Sequence, residues 1–173
     1  MIYISLAECD KTAESQHLTA HNLLTSLLCD LGYEYPIINK EENGRPFVNY
    51  DCTDISISHS NNLVAVCVAT DKILESDCTL TLPIDAKRIG IDIEYIDRSI
   101  NLMKKNRLAK RFLSQEADSI EDFFSIWTEN EAVGKMTGEG VIQNKKTACD
   151  VLSFIAVTDK LNSEYSLSIA YTH

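Results

Sequence analysis

The chain has 173 residues, 45% of them hydrophobic, and a formal net charge of −10. That apolar content can build a core for one domain or two small halves, and so acidic a chain with no basic tail is not built to bind nucleic acid at large. No apolar run approaches the ~18 residues of a membrane span, and "MIYISLAECD" has neither a basic region nor a cleavage site, so a cytoplasmic protein is expected.

"IYISLAE" predicts a strand, and "DKTAESQHLTAHNLLTSLLCDLGY" a helix, with leucines at helical spacing and Gly32 as its stop. "NKEENGRPF" carries turn chemistry around Gly44 and Pro46. "DISIS" and "LVAVCVA" predict two strands joined by a short polar turn, "HSNN". A polar link over roughly 70–87 leads to a second half that repeats the order: a strand in "RIGIDIEY", helices over about 100–137, then strands in "DVLSFIAVTD" and "YSLSIAYTH". The repeated order predicts two similar α+β halves, residues 1–80 and 81–173, with a cleft between them. The six cysteines (Cys9, Cys29, Cys52, Cys67, Cys78 and Cys149) include no C-x-x-C pair and read as free thiols, not as a zinc site or disulfide framework.

Two stretches carry chemistry. In "RIGIDIEYID" isoleucines 89, 91 and 93 alternate with Gly90, Asp92 and Glu94, which puts two carboxylates side by side on one strand face. They repel unless water or a cation lies between them, so they are either a solvated outer face or half of a metal site. In "SIEDFFSIWTENEAVGKMT" one helical stripe runs from Ile120, Phe124 and Trp127 into Glu131 and Lys135. That is either an ion pair at a solvated helix end or a carboxylate turned into the cleft, where it needs a cation. Three carboxylates with no histidine or thiolate partner suit Mg²⁺.

"GIDIE" followed by "WTENEAVGKMTGEG" resembles the signature of the Sfp-type 4′-phosphopantetheinyl transferases, as do "GRP" at 44–46, "SISHS" at 56–60 and "KRFLSQEA" at 110–117, in the family's order. The resemblance implies the α+β 4′-phosphopantetheinyl transferase fold, a pseudo-dimer of two similar halves with mainly antiparallel sheets, and a monomer. It implies a holo-[acyl-carrier-protein] synthase type of activity: phosphopantetheine moves from coenzyme A to a serine of an apo carrier protein of fatty acid, polyketide or nonribosomal peptide synthesis. Asp92, Glu94 and Glu131 would hold Mg²⁺. Glu131 would take the serine proton, Lys135 and His59 would contact the pyrophosphate, Ser58 the nucleotide side, and Arg45 the adenine.

The sequence departs from the family pattern in places. Asn130 stands where a lysine is usual, Ser56 where an asparagine is usual, and the first helix offers Gln16, His17 and His21 in place of permanent cations. The competing readings are a non-catalytic relative that binds carrier protein or coenzyme A, and an unrelated Mg²⁺-dependent phosphohydrolase. A cationic helix face over "MKKNRLAKRF" is a candidate dock for an acidic carrier.

Overall fold

The computed structural model describes residues 1–74, 79–140, 148–158 and 163–173. The elements run β1 (Ile2–Glu8), α1 (Ala13–Asp30), β2 (Ile38–Lys40), β3 (Pro46–Val48), β4 (Asp54–Ser60), β5 (Leu63–Ala69), β6 (Leu80–Leu82), β7 (Arg88–Tyr95), α2 (Leu102–Leu113), α3 (Ile120–Thr137), β8 (Asp150–Thr158) and β9 (Ser163–Thr172). The chain is therefore α+β, and every strand pairing is antiparallel. No helix among the described residues is long and apolar enough to cross a membrane. Five cysteines are free thiols; Cys78 lies outside the described residues.

Two sheets carry the fold, with strand orders β4-β5-β1-β6 and β7-β9-β8. Their inner faces meet in one core, where Ile2, Ile4 and Cys67 face Ile89, Ile91 and Leu167. α1 covers the outer face of the first sheet with Leu24, Leu27 and Leu28. Thr12 caps its start by accepting from Ser15 N, and Gly32 ends it at φ 77°. There the Gly32 and Tyr33 amides return to the Cys29 and Leu28 carbonyls, the paired bonds of a Schellman turn. α3 covers the outer face of the second sheet, where Ala132 and Met136 pack beside Ala170. The residues after β1 and after β7 follow the same plan, since a hairpin returns to pair its second strand with the first: β4-β5-β1 in one case, β8-β9-β7 in the other.

The sheets are also joined edge to edge. β4 presents Asp54, Ser56, Ser58 and Ser60 on alternate positions, and each accepts a hydrogen bond from a backbone amide of β7: Ile89 at 2.8 Å, Ile91 at 3.0 Å, Ile93 at 3.2 Å and Tyr95 at 3.1 Å. β7 is an edge strand whose outward amides need acceptors once buried. Side-chain oxygens supply them in place of a neighbouring backbone.

Two expectations change. The predicted turn "HSNN" is shorter than expected, because β4 runs through His59 to Ser60 and the chain reverses at Asn61, which takes φ 56°. The polar link contains a strand, β6, too short to stand out in the sequence, and it joins the first sheet. The helices expected over about 100–137 are α2 and α3, separated after Ser114 at φ 55°.

Gly90 fixes how closely α3 approaches. A Cβ there would overlap the Ala132 carbonyl oxygen and the Met136 backbone nitrogen. Neither is a flexible atom, so Gly90→Ala should cost at least about 2 kcal/mol. Urea melts of the two proteins measure it, and an unchanged midpoint would mean that α3 does not rest on β7.

Candidate active site

The face of β7 that carries Asp92 and Glu94 lies beneath α3, which overturns a solvated outer face for Asp92: the residue is 4% exposed. Its Oδ1 accepts from Ser58 Oγ at 2.9 Å and from Lys135 Nζ at 2.7 Å, and the same ammonium donates to Ser58 Oγ at 2.7 Å. Its Oδ2 is buried and has no hydrogen-bond partner among the described residues. Two residues on, Glu94 accepts from Ser60 Oγ at 2.8 Å. Glu131 stands one turn before Lys135 on α3, half-buried, and near enough to both β7 carboxylates to feel their charge.

Charge governs this cluster. Burial raises the Glu131 carboxyl above its ordinary range, and the Asp92 charge adds to this while Lys135 opposes it. Burial likewise raises Glu94, against the Ser60 hydrogen bond, with Asp92 adding to the rise. Among the described residues no group of three His, Cys, Asp or Glu side chains stands in a metal-binding arrangement. The donor set nonetheless fits a hard divalent cation: three carboxylates, one buried carboxylate oxygen without a partner, and two carboxyls that a nearby positive charge would relieve.

A cleft of about 270 Å³ opens beside the cluster, lined among others by Gly44, Arg45, Ser56, Glu131, Lys135 and Gly138. Asp92, Glu94, Ser58 and His59 are not in its lining. Ser58 is a buried rung between the sheets, and Ser56, at the position where an asparagine is usual, is another. His59 is exposed, on the β4 face opposite Ser58, and its side chain has no hydrogen bond or ion pair among the described residues. Gln16 donates to the Asn61 carbonyl at 2.7 Å, while His17 and His21 are exposed. Asn130 donates to the Ile126 carbonyl of its own helix.

Asp54 and Asn43 carried no site signal in the sequence, and Lys105 stood out only within the cationic helix face. Asp54 pairs with Arg45 at 2.5 Å and caps the Ile89 amide. Asn43 donates to the Gly138 carbonyl at 3.1 Å and so ties the hairpin turn to the end of α3. Lys105 lies 5.1 Å from the Phe123 ring and lends its charge to Glu94.

No protein-family model matches the chain. The chain is an α+β protein in which an acidic cluster on β7 and α3 stands beside a cleft between the turn that carries Arg45, β4 and the last turns of α3. A protein of Haemophilus influenzae named "Putative 4′-phosphopantetheinyl transferase" is 29% identical to it over 131 residues, 72% of this chain and 51% of that protein. The chain thus spans about half the length of the curated relative it matches.

The raised carboxyls have a measurable consequence. A carboxyl with a raised folded-state pKa stabilises the fold below its unfolded pKa, and that share is lost as pH climbs through the raised value. In the presence of a chelator, Glu131→Gln should therefore melt close to the wild type near pH ~4. It should melt increasingly above the wild type toward neutrality. Equal melting temperatures across that range would mean that Glu131 sits in ordinary solvent.

Proposed function

We propose that the protein is an Mg²⁺-dependent 4′-phosphopantetheinyl transferase built as two copies of one α+β unit. It moves phosphopantetheine from coenzyme A to a serine of an apo carrier protein and releases adenosine 3′,5′-bisphosphate. The observation that carries this reading is the buried Asp92 with its orphaned oxygen, beside Glu94, Glu131 and Lys135 at the edge of a cleft. The distant relative's name and the motif order support it.

Asp92, Glu94 and Glu131 would hold the metal, which supplies positive charge to the pyrophosphate as its bridging bond breaks. Lys135 lies within reach of Asp92 and lines the cleft, so its ammonium can leave the carboxylate for a phosphate oxygen. Glu131, with the affinity for a proton that burial gives it, accepts the proton of the attacking serine hydroxyl. The serine oxygen forms the new bond to the phosphorus on the pantetheine side, and the nucleotide departs with the bridging oxygen.

Labelled coenzyme A and an apo carrier test the reaction: label should appear on the carrier in a Mg²⁺-dependent way. Asp92→Asn keeps an acceptor for Ser58 but loses the charge, and should lower transfer at least about 100-fold. Near wild-type transfer at saturating Mg²⁺ would remove Asp92 from the site. Mg²⁺ alone should raise the melting temperature of the wild type and leave that of Asp92→Asn unmoved. A second reading, a non-catalytic relative that binds carrier protein or coenzyme A, rests on the thinned cations of the first helix, where Gln16 is already engaged with the Asn61 carbonyl. Label that binds the protein without reaching any carrier is its signature, and hydrolysis that needs no acceptor would indicate a phosphohydrolase.

The carrier would dock on α2. Lys104 and Arg107 are exposed without a partner among the described residues, beside Met103 at 71% and Leu108 at 40% exposure, whereas Lys110 is paired with Glu116. Reversing Lys104 and Arg107 to glutamate should raise KM for an acidic carrier and flatten its salt dependence, with KM for coenzyme A unchanged. An unchanged carrier KM at low ionic strength would move the dock elsewhere.

A further inference from the structure

The motif resemblance assigns Arg45 to the adenine of coenzyme A, but its side chain is 6% exposed and already engaged. Nη2 donates to Asp54 Oδ2 at 2.5 Å and to the Ile89 carbonyl at 3.2 Å, and Nε donates to the Lys135 carbonyl at 3.1 Å. Among the described residues only Nη1 makes no hydrogen bond; it stands 3.8 Å from Glu41 Oε1. One guanidinium thus joins the hairpin turn, β4, β7 and the last turn of α3.

The Lys135 carbonyl belongs to the stretch of α3 where carbonyls run out of helix amides, and Arg45 supplies a donor there. The ammonium of that same lysine is the one 2.7 Å from Asp92 Oδ1 and from Ser58 Oγ. How far the side chain reaches depends on where its backbone is held. Asn43, two residues before Arg45, adds the second clamp through the Gly138 carbonyl.

We propose that Arg45 is a positioning residue: it fixes the backbone of Lys135 so that the ammonium is delivered to Asp92 and the cleft, and it does not read the nucleotide. A lysine at 45 keeps a charge opposite Asp54, but its single ammonium cannot serve three acceptors spread across the plane of a guanidinium fork.

The test is Arg45→Lys, read in two ways. Without any substrate, and with chelator at one fixed pH, acylation of Lys135 by an amine reagent is compared by mass spectrometry with that of Lys104, an exposed reference in the same digest. Loss of the Nε bond should speed Lys135 labelling about three- to tenfold, the factor that corresponds to one hydrogen bond. An unchanged ratio overturns the proposal. The kinetic arm alone rests on the transferase reading: kcat should fall about tenfold or more while KM for coenzyme A stays within about twofold. A large rise in KM at constant kcat overturns the proposal in favour of a nucleotide contact. Absence of transfer by the wild type would defeat the transferase reading and leave the labelling ratio to decide the role of Arg45. If Arg45→Lys melts early, Arg45→Gln with Asp54→Asn removes both buried charges together and puts the same labelling question to a neutral seam.

Discussion

The seam between β4 and β7 is the constraint on which the rest of the molecule depends. Two sheets could pack face to face through their isoleucines alone at many offsets, because apolar contact is not directional. The rungs from Asp54, Ser56, Ser58 and Ser60 to the amides of Ile89, Ile91, Ile93 and Tyr95 admit one offset. Each rung is worth only about 1 kcal/mol when made, but a buried amide left without an acceptor costs more, so a slip of register is penalised at every rung together. The same serines then serve the site: Ser58 and Ser60 hold the carboxylates of Asp92 and Glu94 with the hydroxyls that cap the neighbouring amides.

Around that seam the charges are arranged to be unsatisfied by the protein alone. Asp92 has a lysine and a serine on one oxygen and, among the described residues, nothing on the other, and Glu94 and Glu131 each sit where burial favours the protonated form. A purely structural ion pair is usually completed by further hydrogen bonds. An incomplete one beside a cleft is more costly to the fold and is characteristic of sites that meet a ligand.

Much of this was legible in the sequence, and the reasons for the rest are specific. Strand alternation put Gly90, Asp92 and Glu94 on one face, and the helical stripe put Glu131 and Lys135 on another, as found. Periodicity says which residues share a face but not what covers it, so the burial of Asp92 under α3 was not readable. "DISISHS" showed its alternation plainly, yet the partners of its hydroxyls lie 35 residues away, a distance over which no local pattern speaks. The motif resemblance gave Arg45 to the adenine, and only the fold brings Asp54, Ile89 and Lys135 to it. The first strand, the first helix with its glycine stop and the hairpin turn at Gly44 rested on local chemistry, and they stand where that chemistry put them.

The bare backbone contact at Gly90 bears on stiffness. Where helices and sheets meet through interleaved side chains, a helix can shift a little as rotamers adjust beneath it. At Gly90 there is no such cushion, because main chain rests on main chain. The spacing between the acidic residues of β7 and those of α3 is therefore a property of the backbone, insensitive to side-chain motion. The opposite wall, the turn that carries Asn43, Gly44 and Arg45, is tied to the same end of α3 by the Asn43 and Arg45 hydrogen bonds, so a bound molecule meets a cleft whose width is set in advance.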